Sequence, residues 1–230
     1  MNLFLYNQTR DRDLGEYLKR LRITRREYER INIPDSKILI IGGGISVIQK
    51  SFLHDAVMRI TNVDLDPPTD NENCRIKNIK GDYLVIDTEA NYYDEVWALY
   101  SLPLYAPNSD AIHSFIYKAI LNLKVGGVLR FFPLEYDNET KLHTKDADYD
   151  MSTMECTECV MQVIEELRKN GLCIEIIDWP GFEQNRIEKT VIVKAPKQQS
   201  KKEKIDSILK SALDNIGNSA SLHYYLTQEE

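Results

Sequence analysis

The sequence predicts an α/β protein built on a doubly wound, mostly parallel sheet. A run of apolar residues without alternation, Ile38 to Ile41, is typical of a central strand that is buried on both faces. This run leads directly into three glycines, Gly42, Gly43 and Gly44. Farther along the chain, apolar strand-like runs alternate with helical patterns, and this alternation favours parallel strands that are joined by helices.

The glycine turn after the first strand is the first candidate for a binding site. Three consecutive residues without a Cβ atom let the backbone adopt positive φ and let a ligand lie against peptide N–H groups. A helical pattern begins at Ser46, so the N-terminus of a helix is expected to point at the same place.

The remaining elements follow from periodicity and from residues that break helices. Residues 1–35 are predicted to form a net basic N-terminal helical arm, 36–196 the α/β core, and 197–230 a linker, a helix and a polar tail. For the arm, a solvated helix face docked on the core is favoured over an anionic partner. Further strands are expected at 58–64, 74–79, 93–100, 128–132, 172–178 and 187–194, and helices at 110–123 and 153–169. A turn is expected at 124–127, and an acidic loop, a candidate lid, at 133–152.

Polar groups are expected at the carboxyl ends of neighbouring strands. Asp64 ends the second strand, Asp82 follows the third, and a loop that begins at Ser101 follows the fourth. In open α/β sheets the ligand lies beyond the carboxyl ends of the strands, where the strand order reverses. The sequence therefore predicts one site that the glycine turn, the two carboxylates and the loop share.

The composition limits the classes of function. The formal net charge of −7 and the pI near 5.3 argue against a surface devoted to nucleic acid. No apolar run approaches the length of a membrane span and no signal peptide is recognised, so a cytoplasmic protein is expected. Cys156 and Cys159 have the spacing of metal and redox sites, but no second pair accompanies them. Two half-buried helix cysteines, with no metal, are the favoured interpretation.

Taken in order, five segments resemble the motifs of class I S-adenosylmethionine-dependent methyltransferases, over roughly residues 36–195. The segments are Ile38–Ser46, Val63–Pro67, Gly81–Tyr83, Tyr93–Tyr105 and Leu123–Leu129. Each segment alone is a weak signal, whereas five in the family's order are a strong one. The resemblance implies a Rossmann-like sheet of seven strands, the seventh of which runs antiparallel.

The same resemblance implies a binding site for S-adenosylmethionine. Gly42 and Gly44 would let the backbone pass the methionine part of this cofactor. The Asp64 carboxylate would accept both ribose hydroxyls, as suits a vicinal diol. Asp82 would take the adenine amino group, and Tyr83 would lie beside the base. The implied cofactor-binding residues are Gly42, Gly43, Gly44, Asp64, Leu65, Asp82, Tyr83 and Tyr100.

Methyl transfer is an in-line displacement that needs alignment and exclusion of water more than it needs catalytic side chains. Tyr100, Ser101 and Tyr105, in the loop after the fourth strand, are the candidates to orient the acceptor. An aromatic packing cluster around Pro103 and Pro107 is the alternative for this loop. The carboxylates of the loop 133–152 predict a neutral or cationic acceptor, either a small molecule or a peptide side chain. Pairing of two copies in a homodimer is left open.

Two positions depart from the family's pattern. Ile40 stands where many members have an acidic residue, and Ser46 stands at a motif glycine. The first motif also resembles aminopropyltransferases of the spermidine synthase type, but Leu99 and Leu102 replace the paired aspartates that those enzymes need. A non-catalytic, cofactor-binding interaction protein is a further alternative. A nicotinamide dehydrogenase is disfavoured because Val47 stands at the third glycine of its fingerprint.

Overall fold

The computed structural model describes residues 13–43, 56–67, 75–104, 106–137, 153–179 and 186–217. The helices in these ranges are α1 (Leu14–Arg20), α2 (Arg25–Ile31), α3 (Ser109–Asn122), α4 (Thr153–Lys169) and α5 (Gln199–Gly217). The strands are β1 (Lys37–Ile41), β2 (Arg59–Asp64), β3 (Ile76–Lys80), β4 (Tyr93–Leu99), β5 (Leu123–Asp137), β6 (Cys173–Trp179) and β7 (Arg186–Lys194). The helix predicted from Ser46 lies outside the described residues.

All seven strands belong to one sheet, in the order β3-β2-β1-β4-β5-β7-β6. Strands β1 to β5 run parallel, and β7 runs antiparallel to both of its neighbours. The predicted seven-stranded, mostly parallel sheet is therefore confirmed. The strand order reverses between β1 and β4, which makes their carboxyl ends the position where such sheets bind ligands.

Helices cover both faces of the sheet. One apolar cluster joins the sheet to α3, α4 and α5 and includes Leu39 and Phe115. The other joins it to α1 and α2 and includes Tyr17 and Trp97. Because side chains alternate along a strand, the four apolar residues Ile38–Ile41 supply both clusters, and each is at most 2% exposed. Burial on both faces explains the apolar run that predicted this strand.

The N-terminal arm is one layer of this core. Arg130 of β5 is fully buried, and its guanidinium donates to Oε2 of Glu95 (3.0 Å) and to Oε1 of Glu27 in α2 (2.8 Å). Glu27 also closes a capping box with Thr24 at the start of α2. Partial burial of Glu27 opposes ionisation, but the hydrogen bonds from Thr24 and Arg130 outweigh it and lower its pKa to about 2. The arm is thus docked on the core, as the favoured interpretation expected.

Strand β5 is longer than predicted at both ends. The expected turn at 124–127 lies inside the strand, where Gly126 has φ +74° and the pairing with β4 shifts register. The expected loop from Pro133 begins as strand, because β7 pairs with β5 as far as Asp137. Residues 138–152, the rest of that acidic loop, lie outside the described residues.

The predicted linker after Pro196 is largely helix, since α5 begins at Gln199. Lys202 is buried, and its ammonium group donates to Oδ1 of Asp206 (2.5 Å) and to Oδ1 of Asn91 (3.0 Å). The charged stretch was mistaken for a linker because this pair, one helical turn apart, satisfies the buried charge. None of the described helices is long and apolar enough to cross a membrane.

Candidate functional site

Backbone hydrogen bonds align the carboxyl ends of the first three strands. The Gly42 N–H donates to the carbonyl of Val63 (2.8 Å), and the Gly81 N–H donates to the carbonyl of Asp64 (2.9 Å). Each bond continues the pairing of two strands by one residue beyond β1 and β3. The glycine turn, Asp64 and Asp82 therefore follow one another along a single edge of the sheet.

Gly42 is required where the loop after β4 meets the glycine turn. Its φ of +67° favours glycine, and a Cβ atom there would lie 2.5 Å from the Cβ of Ser101. The Ser101 hydroxyl donates to the carbonyl of Ile41 (2.8 Å). Tyr100 has φ +49°, unusual for so large a residue, and this left-handed bend brings Ser101 against the turn. The hydrogen bond between Ser101 and Ile41 thereby links the carboxyl ends of β4 and β1, the two strands at the switch point.

Each of the two carboxylates is oriented by its own backbone turn. Oδ1 of Asp64 accepts from the N–H of Asp66 (2.9 Å), and Oδ1 of Asp82 accepts from the N–H of Leu84 (2.9 Å). Such turns orient the carboxylate through a backbone donor. Leu65, directly after Asp64, has an exposed apolar side chain that is 47% accessible. The edge thus combines two oriented acceptors with an uncovered apolar surface.

The side chain of Tyr83 does not face this edge. It is 2% exposed, its hydroxyl donates to Oδ1 of Asn122 (2.7 Å), and its ring contacts Phe115 edge-to-face. Burial raises the pKa of the Tyr83 hydroxyl well above its usual value. The Tyr83 ring is therefore not exposed at the edge, because the phenol has its partner on α3 inside the core, and a contact of Tyr83 with a bound base stays a prediction.

Lys118 of α3 was missed by sequence reasoning, although it supports the loop that carries Asp82. Its ammonium group donates to the carbonyls of Tyr83 (2.6 Å), Leu84 (3.4 Å) and Ile86. Burial lowers the pKa of Lys118 to about 8, and nearby carboxylates oppose the shift. A single lysine in an otherwise apolar helix pattern was the only signal for this role.

The predicted acceptor-orienting residues differ in their placement. The hydroxyl proton of Ser101 is committed to the Ile41 carbonyl, so this side chain holds the loop. The ring of Tyr100 packs edge-to-face on Phe132 (5.3 Å between centroids), and Phe132 in turn meets Trp179 at 6.2 Å. This aromatic row of Tyr100, Phe132 and Trp179 holds the Tyr100 ring against β5 and β6, and it includes neither Pro103 nor Pro107. Tyr105, like Gly44 of the cofactor set, lies outside the described residues.

Cations of the N-terminal arm lie against the same row. The guanidinium carbons of Arg20 and Arg22 are 5.3 and 4.0 Å from the centroid of the Trp179 ring. The Arg22 guanidinium also donates to the carbonyl of Asp178 (2.8 Å). Because β6 runs in the same direction as β5, Trp179 at its end lies at the carboxyl edge of the sheet. The arm therefore reaches the edge where a ligand is expected.

Ile40 and Leu99, two described positions at which the compared families carry acidic residues, are apolar. Ile40 is fully buried in the cluster beneath the arm, and Leu99 is fully buried at the end of β4. Among the described residues, no three His, Cys, Asp or Glu side chains form a group that could hold a metal. Cys156 and Cys159 are buried, and the Cys156 thiol donates to the carbonyl of Pro103 (3.2 Å). Cys156 thus packs under the loop after β4, and Cys159 lies against the first turns of α3.

No protein-family model matches the chain, and no curated protein matches it either, whereas solved structures do. A 1,6-didemethyltoxoflavin-N1-methyltransferase from Burkholderia thailandensis superposes with a TM-score of 0.53 at 20% identity, covering 74% of each chain. The N-methyltransferase NodS from Bradyrhizobium japonicum gives 0.53 at 15% identity, covering 79% of this chain and 95% of its own.

A phosphoethanolamine N-methyltransferase from Haemonchus contortus, solved with S-adenosyl-L-methionine, gives a TM-score of 0.52 at 16% identity. The match covers 80% of this chain but only 54% of that enzyme. Similarity at such identities establishes architecture, and it agrees with the strand order and direction described above. The chain has the fold of class I S-adenosylmethionine-dependent methyltransferases.

Proposed function

We propose that the chain is an S-adenosylmethionine-dependent methyltransferase whose acceptor is a small molecule or a peptide side chain. The observation that carries the proposal is the carboxyl edge of β1, β2 and β3. There a glycine turn and two oriented carboxylates stand side by side at the switch point of this fold. The three named neighbours are methyltransferases by their names, and two of those names specify small-molecule acceptors, which supports the proposal.

The side chains at this edge suit the chemical groups of S-adenosylmethionine. Asp64 offers carboxylate oxygens to the ribose diol, and Asp82 offers them to the adenine amino group. The exposed side chain of Leu65 provides an apolar surface for the base. The remaining proposed contacts are backbone atoms of Gly42, Gly43, Gly44 and Tyr83, together with Tyr100. When bound, the cofactor supplies a methyl group that its sulfonium already activates.

The chain's own task is to align the acceptor and to exclude water. Ser101 is proposed as a positioning residue, because its hydroxyl fastens the loop after β4 to β1. The aromatic row and the arm residues Arg20 and Arg22 are proposed as one wall of the acceptor site. The preference for a neutral or cationic acceptor stays a proposal from the sequence, since residues 138–152 lie outside the described ranges.

One observation favours a second candidate, a protein that binds the cofactor without transferring its methyl group. Ile40 is fully buried among apolar residues, so position 40 offers no carboxylate for the cofactor's amino group. Ser101, the one predicted acceptor-orienting hydroxyl whose bond is described, is engaged with the backbone. An interaction protein with these features would keep the edge and lack turnover.

Calorimetry with S-adenosylmethionine, S-adenosylhomocysteine and NAD tests the proposed binding. We expect binding of the first two compounds and none of NAD. Asp64→Ala should weaken binding of S-adenosylhomocysteine about 10- to 100-fold, as removal of charge-assisted hydrogen bonds does. Asp87→Ala, an exposed carboxylate later in the Asp82 loop, is the matched control and should bind normally. Binding of NAD alone, or equal affinities for all three proteins, would overturn the proposed site.

Transfer of a labelled methyl group into fractionated cell extract separates the two candidates. If the protein is an enzyme, the wild-type chain labels an acceptor in at least one fraction, and Asp64→Ala labels it less. A protein that binds the cofactor in the calorimeter and labels nothing in any fraction is the non-catalytic alternative.

A further inference from the structure

A cationic groove lies at the opposite edge of the sheet, where β1, β2 and β3 begin. The cavity has a volume of about 540 Å³. Its described lining residues are Pro34, Lys37, Val57, Arg59, Ile60, Thr61, Arg75, Lys77 and Tyr92. Four of these side chains are cationic and none is acidic, although the whole chain carries a formal net charge of −7. The groove is therefore a positively charged region of a protein whose net charge is negative.

The strand register brings these cations together. Lys37 is the first residue of β1 and lies directly opposite Arg59, the first residue of β2. Thr61, two residues after Arg59 and so on the same face, lies opposite Lys77 of β3. Three cations from three strands thus share one face, within about two strand spacings of roughly 4.8 Å each.

The same face changes character along each strand. Toward the carboxyl ends it carries Leu39, Ile41 and Val63, which are buried in the cluster under α3, α4 and α5. Toward the amino ends it carries Lys37, Arg59 and Lys77, where the groove is open. The described connection from β3 to β4, residues 81–92, contains no helix that could cover this half of the face.

Like charges directly opposite each other on neighbouring strands destabilise a sheet. Among the described residues, Lys37, Arg59 and Lys77 have no carboxylate partner that would offset this cost. The Lys37 ammonium instead lies 3.5 Å from the centroid of the Tyr92 ring. Asp94, the β4 residue beside Lys37, accepts from the Lys37 backbone N–H (2.8 Å) and from the Lys124 ammonium (3.0 Å). The groove thus holds positive charge that an anion would neutralise.

We propose that this groove binds a small anion with several phosphate oxygens, of the di- or triphosphate class. Multiple cations in one concavity match multiple phosphate oxygens, and arginine adds a planar donor pair. The volume is that of a small-molecule pocket. The formal net charge of −7 disfavours an extended polyanion, which would reach beyond the groove over a protein of negative net charge. This site is separate from the proposed cofactor edge, and its existence does not depend on the methyltransferase proposal.

Calorimetry on the full chain, with inorganic tripolyphosphate and with a nucleoside triphosphate as probes, tests the groove. We expect both to bind at low ionic strength and to weaken as salt screens the charges. Arg59→Gln and Lys77→Gln should each weaken binding about tenfold or more. Lys37→Arg, which keeps the charge, should retain it. Lys80→Gln removes the same charge from the other end of β3, where Lys80 is exposed and pairs with Asp66 (3.9 Å), and should bind normally.

The outcomes divide cleanly. Unchanged thermal unfolding in the variants, with loss of tripolyphosphate binding in Arg59→Gln and Lys77→Gln alone, supports the groove. If neither probe binds, the proposed groove site is overturned. It is also overturned if Lys80→Gln lowers the affinity for tripolyphosphate as much as Arg59→Gln and Lys77→Gln do. A single-stranded RNA oligonucleotide that binds tighter than tripolyphosphate, and loses affinity in the same variants, overturns the assignment to a small ligand. Binding of S-adenosylhomocysteine to Arg59→Gln should be normal, which separates failure here from failure of the proposed function.

Discussion

The two ends of β1, β2 and β3 carry opposite chemistry. At the carboxyl ends stand the glycine turn and the carboxylates Asp64 and Asp82, whereas at the amino ends stand the cations of the groove. Because parallel strands all point the same way, a charge placed at one end of each strand accumulates at one edge of the sheet. Three short strands can therefore present two sites of opposite preference, which a net charge summed over the chain conceals.

The two ends also differ in how their side chains are held. Asp64 and Asp82 are each fixed by a backbone N–H, and the loop that carries Asp82 is further supported by Lys118. Of the groove cations, Arg59 and Lys77 are exposed side chains placed by strand register. Fixed groups favour selective binding, while mobile charges give binding that salt weakens readily. Variants at each end, and in the arm behind them, test this contrast.

Gly42→Ala should break the carboxyl end. The new Cβ would lie 2.5 Å from that of Ser101, and the φ of +67° is unfavourable for alanine. We expect the free energy of unfolding to fall by about 2–4 kcal/mol and binding of S-adenosylhomocysteine to be lost, while tripolyphosphate still binds. Denaturant unfolding and calorimetry measure the two effects.

Gly171→Ala is the matched control for that prediction. Gly171 has φ +90°, but nothing lies within 4 Å of the position that a Cβ atom would take, so alanine there should cost only the backbone strain, about 1 kcal/mol. Adding Ser101→Gly to Gly42→Ala should restore part of the stability. If both substitutions lowered the free energy of unfolding equally, the close contact with Ser101 would contribute nothing to the effect at Gly42.

Glu27→Gln tests whether the docked arm stabilises the sheet without affecting ligand binding at the carboxyl or amino ends of β1, β2 and β3. The folded-state pKa of about 2 lies below the ordinary 4.5, so the carboxylate contributes stability above pH 4.5 that is lost as the pH falls toward 2. We expect the variant to be about 2–3 kcal/mol less stable at neutral pH, with a gap that closes over that window. The value allows for partial exposure of the side chain, 31%.

The control for this pH dependence is Glu29→Gln. Glu29 pairs with Arg25 on the exposed face of α2, where both side chains are largely accessible, and should change stability by less than about 0.5 kcal/mol. A gap between wild type and Glu27→Gln that stayed constant from pH 7 to about 2 would contradict the assigned role. Both ligands should bind Glu27→Gln with unchanged affinity.

Asp64→Ala and Arg59→Gln should dissociate the two ends. Each removes a charge from β2, one at its last residue and the other at its first. We expect each to lower the affinity for its own ligand about 10- to 100-fold and to change the other by less than about twofold. Calorimetry with both ligands on both variants measures all four affinities. If either variant lowered the affinity for both ligands, the effect of the substitution at one end of β2 would extend along the strand to the other end.

Lys118→Met should have a smaller effect, because it acts through the loop of Asp82. We expect about a two- to fivefold loss of affinity for S-adenosylhomocysteine, since the three carbonyls lose their donor. The folded-state pKa of Lys118, about 8, lies below the ordinary 10.5, so keeping it charged costs stability below pH 8. As the pH rises from 8 to 10.5, wild type should gain stability relative to the variant. Lys169→Met, an exposed lysine, should show neither effect.

Local signals were sufficient for much of the fold. The apolar run of β1 predicted its place in the sheet, and α4 was predicted to the residue because Asn170 and Gly171 end it. Gly171 has φ +90°, and its N–H donates to the carbonyl of Arg168 (2.9 Å), as expected of a helix terminus. The position of the glycine turn and of Asp64 at one edge followed from the same reasoning.

What sequence reasoning missed depends on contacts between distant residues. The orientation of Tyr83 is set by Asn122, and the helical state of the supposed linker by Lys202 and Asn91. The segment 81–92 has no periodicity that would show which side chains point inward. The groove emerges only from register, because Arg59 and Lys77 taken separately are ordinary exposed cations.

The contacts of the arm have a consequence for the order of events during synthesis. The hydroxyl of Thr190 in β7 donates to the carbonyl of Arg20 (2.6 Å), and Glu27 meets its partner Arg130 in β5. The arm therefore leaves the ribosome long before Arg130 and Thr190, whereas apolar partners of Tyr17 and Leu21, such as Ile38 and Trp97, follow it sooner along the chain. A nascent chain stopped before β7 therefore lacks the polar contacts that β7 makes with the arm, and the arm is more open to chaperones and proteases until that strand is made.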